Sequence, residues 1–174
     1  MKPQIAFLLA AVATAAGTVA YSVHASEAAA QEVAPIFVDT IPAGYRDWKL
    51  ISVAREQGSI DDIRAVLGND VAIKAYREKT PFPEGAIIAR LAWSLDPSEE
   101  NNKVFGQSQS FVAGAPKNGV QFMIKDSKKY ASTGGWGYGH FDDGKTADEA
   151  VLKTCYPCHA AIKARDFVFT LYAP

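Results

Sequence analysis

The pentapeptide Cys155-Tyr156-Pro157-Cys158-His159 holds both cysteines of this 174-residue chain, and no other segment narrows its chemistry as far. Two thiols three positions apart lie on one turn of backbone, with an imidazole directly after them. Thiols at that spacing can add to the two vinyl groups of a porphyrin, and a neutral imidazole nitrogen is a strong axial donor to iron. The other ring nitrogen then needs a carbonyl or carboxylate to orient it. Three readings compete with this one. A structural zinc site takes about four Cys or His ligands, and outside the motif only His24 and His140 remain. A thioredoxin-like dithiol heads a long helix in a β-α-β unit, whereas here only residues 160–174 follow. A disulfide across two residues would be strained and would stabilise little. The pattern therefore predicts a single haem c, held covalently by Cys155 and Cys158, with His159 on the iron.

The amino terminus agrees with this, because bacterial c-type haem attachment takes place outside the cytoplasm. Lys2 precedes an apolar run from Ile5 to Val19, and Val23-His24-Ala25 is spaced like a signal-peptidase site. Residues 1–25 read as a signal peptide. The alternative is an uncleaved anchor, since the run extended through Val23 approaches the roughly 20 residues that cross a bilayer. Both place the rest of the chain in the periplasm. Haem attachment also explains why an exported chain of this size has two cysteines and no disulfide framework.

Residues 26–41 show no periodic pattern and read as a flexible lead-in, leaving residues 42–174 as one domain. With 48% hydrophobic residues and a net charge of -1, the chain is not disordered and lacks the basic footprint of a nucleic-acid binder. Ser59-Ile60-Asp61-Asp62 resembles a capping box, and Ile60, Ile63 and Leu67 then recur at helical spacing as far as Gly68. A second helix over residues 70–77 would turn Val71, Ala75 and Tyr76 inward. After the turn Thr80-Pro81-Phe82-Pro83-Glu84-Gly85 the period changes to two. Ile87, Leu91 and Trp93 then share one strand face, with Ala86, Ile88, Arg90 and Ala92 on the other. Further strands are predicted over residues 108–113 and 120–125, joined through Pro116-Lys117-Asn118-Gly119. The glycine–aromatic alternation from Gly134 to Phe141 suits a backbone lying against something flat and bulky, or an edge strand with a tight bend. Thr146-Ala147-Asp148-Glu149 opens a helix towards the cysteines, Pro157 would break it, and residues 167–172 read as a last strand.

The motif lies near the carboxyl end and no methionine follows it, the reverse of a small all-helical electron carrier. Met123 falls in a strand and suits a core role. His140 is the other conceivable sixth ligand, although a lone histidine on a glycine-rich turn is more often exposed or hydrogen-bonded. A vacant sixth position is the working expectation, and such an iron binds or activates small molecules according to the polarity of its pocket.

Taken in order, Tyr45-Arg46-Asp47-Trp48, Asn69 with Ala72, Phe82-Pro83-Glu84-Gly85, Gly134-Gly135-Trp136-Gly137, the haem motif and Asp166-Phe167-Val168-Phe169-Thr170 resemble the cytochrome P-460 family, which includes the cytochromes c′-beta. The resemblance runs from about Tyr45 to Pro174. It implies an α+β fold, mainly antiparallel sheet with packed helices, a homodimer and a five-coordinate haem. Similar members oxidise hydroxylamine or bind nitric oxide in the periplasm. Hydroxylamine-oxidising members bond a lysine to the haem ring from the strand after the F-P-x-G turn. The matching position here is Arg90, whose guanidinium stays protonated and is a poor nucleophile. Lys74 and Lys79 are the substitutes if that alignment shifts.

Arg90 and Arg64 are therefore candidate donors to a ligand or a haem propionate, an ordinary ion pair being the plainer role. Phe82, Trp93 and Phe122 are candidate apolar walls around the haem, or simple core aromatics. The function implied is binding or oxidation of small nitrogen species, as a hydroxylamine oxidoreductase if turnover occurs, with a redox partner protein. An electron-transfer cytochrome without substrate chemistry is the alternative.

Overall fold

The computed structural model describes residues 37–108, 110, 111 and 119–173, apart from the side chains of 110 and 111. In chain order it forms β1 (Lys49–Glu56), β2 (Asp62–Gly68), α1 (Asp70–Glu78), β3 (Ile87–Ser94), β4 (Asp96–Pro97) and α2 (Glu99–Phe105). Then come β5 (Ser110–Phe111), β6 (Val120–Lys125), β7 (Trp136–Asp142), β8 (Lys145–Thr146), α3 (Glu149–Leu152) and α4 (Cys155–Ala160). Six strands make one antiparallel sheet in the order β1-β2-β3-β6-β7-β8, and β4 with β5 forms a separate small ladder. The α+β class expected from the sequence is the one found.

Alternation decides which side chains meet. Along β3, Ala89 and Leu91 enter a core with Val120, Phe122, Tyr130 and Phe141, while Ile88 enters a second core with Val66, Met123 and Tyr138 on the other side. A sheet with apolar side chains on both faces needs a cover on each. One cover comes from Val38, Ile41, Tyr45 and Trp48. The other comes from α1 and the carboxyl-terminal segment through Ala72, Ile73, Phe167 and Val168.

Several expectations are corrected. Residues 59–68 do not form a helix: β2 occupies 62–68, paired with β1 and β3 along its length. The helical spacing of Ile60, Ile63 and Leu67 competes with a period-two set, Asp62, Arg64, Val66 and Gly68, and pairing with a strand on each side decides for the second, burying Asp62, Val66 and Gly68. In α1 the inward face is Ala72, Ile73 and Ala75, whereas Val71 is 38% exposed. Asn69 caps that helix, its Oδ1 accepting from Ala72 N at 2.9 Å and Ile87 N at 3.1 Å while Nδ2 donates to Gly85 O at 2.8 Å. One side chain thus joins helix, turn and strand.

Of the strand predicted over residues 108–113, Ser110–Phe111 is found as β5, while residues 109, 112 and 113, with Pro116, Lys117 and Asn118, lie outside the described residues. Residues 167–172 join no ladder; the tail is tied to the sheet by Ala173 N donating to Ile51 O at 2.9 Å. The helix before the cysteines starts at Glu149 with Asp148 as its cap, because Thr146 is taken up in β8. It ends at Leu152, and Pro157 stands in the first turn of α4, where no N–H is required of it. Ordered packing also reaches ahead of Pro42: Val38 is 3% exposed and its N–H donates to Tyr138 O at 2.8 Å.

The glycine–aromatic strand is second from the end of the sheet order. Its glycines are explained by the face away from Trp136 and Tyr138. A Cβ on Gly137 would meet Tyr130 Cζ at 2.2 Å, and one on Gly139 would meet Val38 Cβ at 2.9 Å. The flat group that the alternation anticipates on this side is the Tyr130 ring.

Candidate functional site

Short α4 carries Cys155, Cys158 and His159 to the rim of a cavity of about 720 Å³, within the roughly 300–1,000 Å³ usual for cofactor pockets. The sheet face lines the same cavity. Its register places Val66, Arg90, Gln121 and His140 in one row across β2, β3, β6 and β7. The next row is Gly68, Ile88, Met123 and Tyr138. A polar row thus borders an apolar one, and both line the cavity except for Gly68. Val151 at 43%, Phe169 at 47% and Ile60 at 37% exposure stand around it. Exposed apolar side chains gathered on a cavity mark a place for an apolar occupant.

His159 is set up as a donor. Its Nδ1 lies 2.7 Å from Phe167 O, so Nδ1 carries the proton and Nε2 keeps its lone pair. Burial pushes the imidazole pKa down and the hydrogen bond only partly opposes this, which favours the neutral ring. Tyr138 and Phe169 flank it with ring centroids 5.1 and 5.0 Å away. The thiols are free, that of Cys155 half-buried and that of Cys158 exposed, and burial raises the Cys155 pKa.

Arg64 and Arg90 line the same cavity, and both are ion-paired, the plainer of the two roles expected of them. They converge on Asp62, whose side chain is fully buried. Its Oδ1 accepts from Arg64 Nη2 at 2.6 Å and Nε at 3.0 Å, and its Oδ2 accepts from Arg90 Nη2 at 2.5 Å. Glu56 takes a further bond from Arg64. Burial, and then the neighbouring Arg64 charge, lower the Arg90 pKa, but a guanidinium remains protonated.

The other sequence candidates divide. Met123 and His140 both line the cavity, the first also packing in the apolar core. His140 sits on β7 rather than on a turn, and its side chain is 13% exposed. Its Nε2 is 3.4 Å from Asp142 Oδ1 without hydrogen-bond geometry. With Tyr138 Oη, it is a buried side-chain atom left without a hydrogen-bond partner among the described residues.

Phe82 and Trp93 are corrections, since neither lines the cavity. Trp93 has the parity of Leu91 and packs in the opposite core. Phe82 is spent on edge contacts with Tyr76 at 4.9 Å and Trp136 at 5.5 Å. Phe122 borders the cavity, yet its ring stacks edge-on with Tyr45 and Phe141 in that opposite core. Lys74, on α1, is exposed and paired with Glu78, and neither it nor Lys79 lines the cavity.

Sequence reasoning overlooked Asp62, Glu56, Gln121 and Tyr138. The period-two spacing Asp62-Arg64-Val66 was the available signal for the first, though it competed with a capping box.

Two thiols, a neutral imidazole with a free Nε2 and unpartnered polar atoms inside a largely apolar cavity fit a porphyrin better than a bare metal ion. The family model for cytochrome P460 matches residues 42–170, and the chain belongs to the cytochrome P460 family, a family of haem proteins. No curated protein matches the chain at a significant level.

Proposed function

We propose that this chain is an exported monohaem cytochrome that binds or oxidises small nitrogen species, such as nitric oxide or hydroxylamine, at an open haem position. In this reading Cys155 and Cys158 would hold the haem as thioethers and His159 would bind its iron through Nε2. When bound, the haem iron would offer one coordination position to a small molecule. Phe167 O keeps the imidazole in the required tautomer. Val66, Ile88 and Met123 supply an apolar wall, and the arginines supply donors whose charge Asp62 and Glu56 already balance. Arg90 in place of a lysine argues against a third bond between protein and haem. Periplasmic location, a homodimer and a redox partner belong to the same proposal and rest on the leader-like terminus and the family.

The observation that carries this reading is that one cavity is lined both by the His159 imidazole, its Nδ1 engaged by Phe167 O, and by hydrogen-bonding side chains of the sheet. An electron-transfer role is the second reading, favoured by Met123 and His140, each a candidate sixth ligand lining the cavity. An optical spectrum of the ferrous holoprotein separates them. High-spin iron that takes up nitric oxide and carbon monoxide is the expected result; low-spin iron inert to both would overturn the ligand-binding reading. Steady-state oxidation of hydroxylamine with an electron acceptor then tests for an enzyme, and absence of turnover leaves a binder.

A further inference from the structure

The backbone that presents the Phe167 carbonyl to His159 is unusual. Asp166 and Phe167 are consecutive non-glycine residues in the left-handed region, with φ of 50° and 63°. Side chains disfavour that region, and such a pair persists only where surrounding contacts over-determine it. Here the contacts converge on the Asp166 carboxylate. Its Oδ1 accepts from Lys125 Nζ at 2.8 Å and Trp136 Nε1 at 3.3 Å, and its Oδ2 accepts from Phe82 N at 3.2 Å. Lys125, with a side chain only 10% exposed, also donates to Gly134 O at 3.2 Å. Gly134 in turn seats the Phe167 ring: a Cβ there would meet Phe167 Cε2 at 2.2 Å. Phe167 is therefore fixed through its backbone by Asp166 and through its ring by Gly134, with its oxygen 2.7 Å from His159 Nδ1.

We propose that Asp166 is a positioning residue for the axial imidazole: clamped by Lys125, Trp136 Nε1 and Phe82 N, it holds the Phe167 carbonyl on His159 Nδ1 and so sets the basicity of that ligand. The proposal rests on the reading that His159 is the axial ligand. A carbonyl accepting the Nδ1 proton makes an imidazole a stronger donor. A stronger donor favours ferric iron, so loosening the clamp raises the reduction potential.

The test is the potential of the holoprotein in three variants that differ in charge. Asp166→Asn removes a negative charge, Lys125→Met removes a positive one, and Trp136→Phe removes the N–H with part of the indole ring and leaves the charge unchanged. If these residues acted by charge alone, the potential would rise in Asp166→Asn, fall in Lys125→Met and stay unchanged in Trp136→Phe. A loosened clamp raises it in all three, and weakens the iron–histidine vibration of the five-coordinate ferrous protein. Potentials that stay put or move in opposite directions overturn the proposal. Should Asp166→Asn yield no folded holoprotein, the other two variants decide alone. A wild-type chain without haem, or a His159→Ala variant with an unchanged haem spectrum, would instead remove the axial-ligand reading itself.

Discussion

Asp62 shows how much one side chain can hold at this site. A buried carboxylate between two partly buried guanidiniums is stable only while all three remain, because removing one partner leaves uncompensated charge in a poor solvent. Asp62→Ala is expected to destabilise the protein by about 3–5 kcal/mol, read from the urea midpoint, against a much smaller loss for a surface acid. Arg64 and Arg90 would also lose their fixed orientation, so carbon monoxide and nitric oxide affinities should change in the same variant. At this scale the sequence was legible where chemistry is local. The thiols and the imidazole must be neighbours in the chain to serve one porphyrin, so Cys155, Cys158 and His159 announce themselves. Tyr138 and His140 reach the cavity, and Asp62 meets Arg64 and Arg90 behind it, through strand register, which a single sequence does not display.

At the scale of elements, β7 is the most demanding piece. Trp136 and Tyr138 pack in the core on the cavity side, and Gly137 and Gly139 lie under Tyr130 and Val38, so the alternation answers two different neighbours at once. Gly137→Ala places a methyl group 2.2 Å from the Tyr130 ring, and overpacking of this kind costs about 1–3 kcal/mol in a thermal or urea melt. A loss below the error of the melt would show that the ring can give way. The strands β3, β6 and β7 were readable because period two is strong in them. β2 was not, since helical and strand spacings coexist between Ile60 and Gly68 and only pairing with β1 and β3 decides between them. The carboxyl-terminal run likewise has the apolar content of a strand, but the left-handed pair at 166–167 precedes it and its extended part finds no ladder.

At the scale of the whole molecule, the sheet separates two cores with different tasks. One packs α1 and the carboxyl-terminal segment beside the cavity, and the other is closed partly by residues ahead of Pro42. Val38 is the clearest case, buried against Gly139 and bonded to Tyr138 O on the strand that carries His140. A chain beginning at Pro42 should therefore be less stable than one beginning at Phe37 by about 1.5–3 kcal/mol, the value of one buried valine, measured as the difference in urea unfolding free energy. Equal stabilities would mean that this strap is dispensable. The amino-acid sequence by itself determined the Cys155-to-His159 motif and the strands β3, β6 and β7, half of the six-stranded sheet, because periodicity and motif spacing act over a few residues, while the α+β class was legible through the family resemblance. Only the tertiary structure decided that Arg64 and Arg90 meet on Asp62, that Trp93 turns away from the cavity and that Asp166 stands behind the His159 hydrogen bond. Those relations join residues far apart in the chain, and they exist only once strand register has fixed which side chains share a face.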